Sequence, residues 1–121
     1  MIEVGVDIIE IERIGRAIAR FGDRFLERVY SPAERGICRG RVPELAVRFS
    51  GKEAVMKALG TGIRGVGWRD IEILSLRSGK PIVELHGRAA ARAQAIGLAS
   101  FAVSLSHSRD FAVAVVVGSD Q

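Results

Sequence analysis

The sequence predicts an α+β fold, one small domain with helices packed on antiparallel strands, and three observations predict it. The first eight residues alternate apolar and polar with period two, the stretch from about residue 10 to 59 carries helical periodicity, and two turn-separated pairs of apolar runs follow. Strands and helices do not alternate regularly, which disfavours a doubly wound α/β sheet. With 121 residues, 48% of them hydrophobic, the chain is long enough for one core and too short for two, so 1–121 is read as a single domain.

Each element has a local reason. Ile2, Val4, Val6 and Ile8 alternate with Glu3, Gly5 and Asp7, a half-buried strand whose apolar set is expected to face the core and whose Asp7 is expected on the opposite, solvent face. From Glu10 the period changes: Ile11, Ile14, Ile18, Phe21 and Phe25 fall on one helical face, with "FGD" at 21–23 a candidate break. Arg13, Arg16, Arg20 and Arg24 form a second stripe on that surface. "SPAE" at 31–34 has Ser at N-cap, Pro at N1 and Glu at N3, a capping-box start. A long helix begins near Pro43 or Glu44 and runs to Leu59, with Gly60 as its left-handed stop. After a Gly-rich loop, "DIEILSL" and "PIVEL" flank "RSGK" as one hairpin. "GRAAARAQAIG" is an Ala-rich helix closed by Gly97, and "FAVSLS" and "FAVAVVV" flank "HSRD" as a second hairpin.

Composition bounds the function. The formal charge of +4 suits an acidic partner or an anionic ligand. One cysteine, Cys38, permits no internal disulfide and fits a reducing compartment. Acidic residues at 3, 7, 10 and 12 are unlike a signal peptide, and no apolar run reaches the roughly 18 residues of a membrane span, so a cytoplasmic protein with no membrane partner is expected. Trp68 and Tyr30 stand alone and the phenylalanines mostly occupy expected core positions, which argues against a single-strand nucleic-acid module with interleaved aromatic and basic residues.

The chemistry-bearing residues concentrate in "RFSGKEAVMKALGTG", 48–62. Glu53 and Lys57 at i,i+4 share a helix face, either as a surface ion pair or, given their apolar neighbours, as a pair lining a cleft. Asp7 is either a solvated strand residue or one carboxylate of a metal site. Two carboxylates and a lysine are a minimal kit for Mg²⁺ and a phosphate group. The "GTG" glycines follow the helix rather than precede it, so they read as a stop and not as a P-loop. His107 stands where a strand meets its turn, a position that often points into sites. His86 reads as structural, and two histidines with one cysteine show no zinc-ligand spacing.

Taken together, "VGVDIIEIERI", "RFSGKEAVMKALGTG", "SGKP" at 78–81 and "SLSHS" resemble the holo-acyl-carrier-protein synthases, the short bacterial-type 4′-phosphopantetheinyl transferases, over essentially the whole chain. The chain departs from that pattern at Ser50-Gly51, where the family usually carries Ala-Ala; a helical Gly costs about 1 kcal/mol relative to Ala unless it serves a close approach. The resemblance implies a domain of 4′-phosphopantetheinyl transferase type that moves the phosphopantetheine arm of coenzyme A to a serine of apo acyl carrier protein, releasing adenosine 3′,5′-bisphosphate. It implies that Asp7 and Glu53 bind Mg²⁺, that Glu53 and Lys57 are catalytic, and that Lys57 also contacts the phosphates. Arg48 and His107 match positions associated with the nucleotide end of coenzyme A, with Gly60 beside it. Arg13 matches a carrier-protein contact, and Arg16, Arg20 and Arg24 extend that face by helical geometry. The resemblance further implies a homotrimer with sites at subunit interfaces. The alternatives are a catalytically silent carrier-binding scaffold and a basic nucleic-acid-binding module.

Overall fold

The computed structural model describes residues 1–121. Strand β1 (Ile2–Glu10) leads into α1 (Ile11–Phe21), α2 (Asp23–Val29), α3 (Pro32–Cys38) and the long α4 (Val42–Leu59). A 3₁₀ turn (Trp68–Asp70) precedes the hairpin β2 (Ile71–Ser75) and β3 (Pro81–Leu85), then α5 (Gly87–Ile96), β4 (Ser100–His107) and β5 (Phe111–Ser119). All pairings are antiparallel: a three-stranded sheet in the order β1-β5-β4, and the separate β2-β3 hairpin. The α+β expectation holds.

The stops are local. Gly22 at φ 57° ends α1, and Gly60 and Gly97 sit in the left-handed region at φ 73° and 80° to end α4 and α5. The capping box before α3 is formed: the Ser31 hydroxyl accepts from the Glu34 amide, and the Glu34 carboxylate accepts from the Ser31 amide at 2.9 Å.

Helix α4 is the centre of the molecule. One core joins its Val55 and Leu59 to Ile71, Ile73 and Val116, and a second joins its Leu45 and Val47 to Ile14, Val29 and Tyr30. A helix between two cores must be apolar on nearly every side, which is why α4 has no clean polar face. It lies very close to both sheets: a Cβ on Gly5 of β1 would stand 1.8 Å from the Ala54 carbonyl oxygen, and one on Gly51 would stand 2.3 Å from Ile73 Cδ1 of β2. Gly51 is therefore a close-approach glycine.

The orientation of β1 is the reverse of the expected one. Gly5, Asp7 and Ile9 face α4 and are buried, whereas Ile2, Val4, Val6 and Ile8 are more than half exposed. The inner face of β5 is likewise small, with Ala112 and Ala114 opposite Ile9 and Asp7. Only small residues let α4 come this near, so the bulky β-branched set is left on the outer face.

Beneath α4 lies a fully buried ion pair, Lys52 Nζ to Glu34 Oε1 at 2.8 Å. Lys52 also donates to the carbonyls of Trp68 and Ile71. Burial pulls the Lys52 pKa down and Glu34 opposes that pull. No helix is long and apolar enough to cross a membrane.

Candidate functional site

Strand β1 carries Asp7 under α4, and α4 presents Ser50, Glu53 and Lys57 along one stripe above it, so residues some 45 positions apart meet because a strand and a helix cross. Ser50 Oγ lies 3.0 Å from Asp7 Oδ2 and 2.9 Å from the Asp7 carbonyl, and Lys57 Nζ stands 3.2 Å from Asp7 Oδ1. Lys57 also donates to the Val6 carbonyl at 2.9 Å. The Lys57 partner is thus Asp7, whereas helical spacing alone suggested Glu53.

Asp7 is buried, Glu53 half-buried and Lys57 exposed. The Glu53 pKa is raised, first by burial and then by the Asp7 carboxylate beside it, with Lys57 and Arg13 pulling the other way. Two carboxylates stand together with the Lys57 ammonium bonded to only one of them, so the group keeps unused oxygen lone pairs. This hard-oxygen donor set fits Mg²⁺, which takes one or two carboxylates and completes its shell with water and phosphate oxygens. Gly60 caps the same helix one turn beyond Lys57, its amide donating to the Lys57 carbonyl at 3.1 Å.

Arg48 and His107 lie elsewhere. They share a cavity of about 350 Å³ whose other walls include Arg41, Ser75, Gly79 and Pro81. Asp7, Glu53 and Lys57 do not line it. Asp7 pairs with Ala114, Ala114 with Leu105, and His107 lies two residues further along β4; two strand spacings and two residues put the Cα atoms about 12 Å apart. The Arg48 guanidinium is almost wholly buried and donates to the Ile73 carbonyl at 3.0 Å and Ser75 Oγ at 2.8 Å, with Glu44 at 3.4 Å. Arg41 donates to the carbonyls of Cys38 and Ile37. His107 is exposed, its Nδ1 3.2 Å from the Ser108 carbonyl.

The arginine stripe is shorter than helical geometry implied. Arg13, Arg16 and Arg20 are exposed on α1, with Glu12 3.6 Å from Arg16 and the Phe21 ring 5.1 Å from Arg20. Gly22 turns the chain, so Arg24 belongs to α2. There it flanks, with Arg28, an apolar groove of about 360 Å³ lined by Phe21, Phe25, Phe49, Ile63 and Trp68.

Sequence reasoning missed three side chains. Ser50, noted only as a departure, holds Asp7; Lys52 and Glu34 form the buried pair, and Glu34 had been visible only as a helix cap. A lysine on an all-apolar helix was the available signal for the pair. The hairpin also brings Glu72, Glu84 and His86 within 4.8 Å of one another, a juxtaposition made by cross-strand pairing that no linear spacing announces.

A sequence model of the 4′-phosphopantetheinyl transferase superfamily matches residues 3–116. The chain is 51% identical to a holo-[acyl-carrier-protein] synthase of Solidesulfovibrio magneticus, covering 94% of each, and 47% identical to one of Herpetosiphon aurantiacus, covering 98% of each. Among solved structures it is similar to the Helicobacter pylori holo-[acyl-carrier-protein] synthase in complex with coenzyme A, at TM-score 0.88 and 36% identity, covering 96% of this chain and 99% of that one.

Proposed function

The chain belongs to the 4′-phosphopantetheinyl transferase superfamily, and on that premise we infer that its reaction is the one for which its relatives are named. It transfers the 4′-phosphopantetheine group of coenzyme A to a serine of apo acyl carrier protein. The observation that carries this for the chain's own residues is the meeting of Asp7, Glu53 and Lys57 where β1 crosses α4.

The serine oxygen attacks the β-phosphorus of the pyrophosphate, the bridging bond breaks, and adenosine 3′,5′-bisphosphate leaves. Asp7 and Glu53 would hold Mg²⁺, which when bound would supply positive charge to the phosphoryl oxygens. Ser50 fixes the Asp7 carboxylate by its hydrogen bond. Lys57, exposed and tethered only to Asp7 and the Val6 carbonyl, is free to turn its ammonium toward the phosphates and offset charge on the leaving group. In this reading Glu53 accepts the serine proton, and Gly60 brings a backbone group beside the nucleotide end of coenzyme A.

Arg48 and His107 serve the nucleotide end of coenzyme A through the cavity they line. Because that cavity excludes Asp7, Glu53 and Lys57, the reading that best joins the two halves is a homotrimer in which neighbouring subunits complete each site. The exposed Ile2, Val4, Val6 and Ile8, with Val115 and Phe111 beside them, support burial of the outer sheet face by other copies. Arg13, Arg16, Arg20 and Arg24 meet the acidic carrier, and the apolar groove beside Arg24 takes apolar side chains of the same partner. The protein works in the cytoplasm and supplies holo carrier for fatty acid synthesis.

The test is the intact mass of apo acyl carrier protein after incubation with this protein, coenzyme A and Mg²⁺. A gain of one phosphopantetheine, abolished by EDTA and by Glu53→Gln, is expected. Binding of the carrier with no mass gain would instead favour a silent scaffold.

A further inference from the structure

The mechanism leaves Lys52 and Glu34 unused, yet they are fully buried charges, which a fold retains only when they are well paired. Their bonds converge on one place. The Ile73 amide donates to Glu34 Oε2 at 2.9 Å, the Ile73 carbonyl accepts from Arg48 Nε at 3.0 Å, and the Ile71 carbonyl accepts from Lys52.

Those backbone groups form one edge of β2. The strand pairs only with β3, so its other edge presents amides and carbonyls with no strand to satisfy them. Three side chains from α3 and α4 take the place of that missing strand. Two residues further on, Arg48 holds Ser75 Oγ as well, and Ser75, Gly79 and Pro81 of this hairpin wall the cavity that contains His107.

We propose that Glu34, Lys52 and Arg48 act as a clamp on the open edge of β2, and that Glu34 and Lys52 are positioning residues that set the hairpin wall of the coenzyme A cavity. The kinetic part rests on the assignment of that cavity to coenzyme A above; the clamp itself does not. Glu34 is suited to the task because one carboxylate accepts from two amides and an ammonium at once, which the single carbonyl oxygen of glutamine cannot do. Loosening the clamp shifts a wall of the nucleotide cavity without touching Asp7, Glu53 or Lys57.

Two measurements test it. The first is amide hydrogen exchange of the unaltered protein: the Ile73 amide is expected to exchange within about tenfold of the central β5 amides, although β2 is an edge strand. Exchange of Ile73 as fast as that of exposed turn amides such as Gly79 would overturn the clamp. The second is the double variant Glu34→Gln/Lys52→Met, which removes both charges together and so leaves neither buried alone. Its Ile73 amide is expected to exchange at least a hundredfold faster, and its KM for coenzyme A to rise at least tenfold, with kcat and the carrier KM within twofold. A fall in kcat at unchanged KM would mean only lost folded enzyme and would overturn the positioning role. If the double variant does not fold, the Ile73 exchange of the unaltered protein decides. Absence of any carrier modification by the unaltered protein would defeat the functional reading and leave the exchange result standing by itself.

Discussion

Gly5→Ala adds one methyl group where β1 and α4 touch, and its cost follows from the geometry. The new Cβ would stand 1.8 Å from the Ala54 carbonyl oxygen and 2.8 Å from its carbon. Gly5 is not among the residues with positive φ, so the backbone accepts alanine and the whole penalty is steric. A carbon and an oxygen need roughly 3.3 Å, so the helix must retreat by about 1.5 Å, and the obstacle is backbone rather than the end of a flexible side chain. Overpacking typically costs about 1–3 kcal/mol, and a clash with backbone belongs at the top of that range. At about 4 °C per kcal/mol for a chain of this size, Tm should fall by roughly 12 °C. The same retreat moves Glu53 and Lys57 away from Asp7, so the Mg²⁺ concentration needed for half-maximal activity should rise even where the variant is fully folded. Thermal melts and Mg²⁺ titrations of activity check both parts. A Tm within 2 °C of the parent, with unchanged Mg²⁺ dependence, would refute the claim that small residues on β1 set the height of α4.

Glu53→Gln should raise the Tm of the metal-free protein at pH 7.5 while it lowers activity, because the native state raises the Glu53 pKa and therefore penalises its charge. That penalty grows as pH rises through the usual carboxylate range to the raised value, so the two melting curves should converge toward pH 4; a constant gap would contradict it. Cys38 is fully buried and burial pushes its thiol up to about 11, so a thiol reagent at pH 8 should label it only after unfolding in urea. With a raised thiol pKa the associated stability is intact below about 9 and is lost as pH rises toward 11, and melts across that window should show the decline. Val6→Glu places a charge in the outer sheet face and should reduce the mass seen by light scattering to that of the 13.1 kDa chain, with far-UV circular dichroism unchanged; an unaltered assembly would remove this face from the interface.

Much of the secondary structure was legible because its signals are local. Ser31, Pro32 and Glu34 start a helix, and Gly22, Gly60 and Gly97 stop three, through bonds and dihedral angles that span only a few residues. The chemistry of Asp7, Glu53 and Lys57 was legible for a related reason: residue type fixes what a side chain can donate, accept or ligate. What period two cannot say is which side of β1 is covered. Its apolar set pointed outward because the inner face had to be as small as Gly5, Ala112 and Ala114 to admit α4. Nor could spacing show that Lys57 reaches Asp7 rather than Glu53, that Ser50 holds Asp7, or that Lys52 and Glu34 close an edge of β2. Periodicity determines which residues share a face, a property of one segment. What that face meets depends on how closely two distant segments pack, and only the tertiary structure decides it.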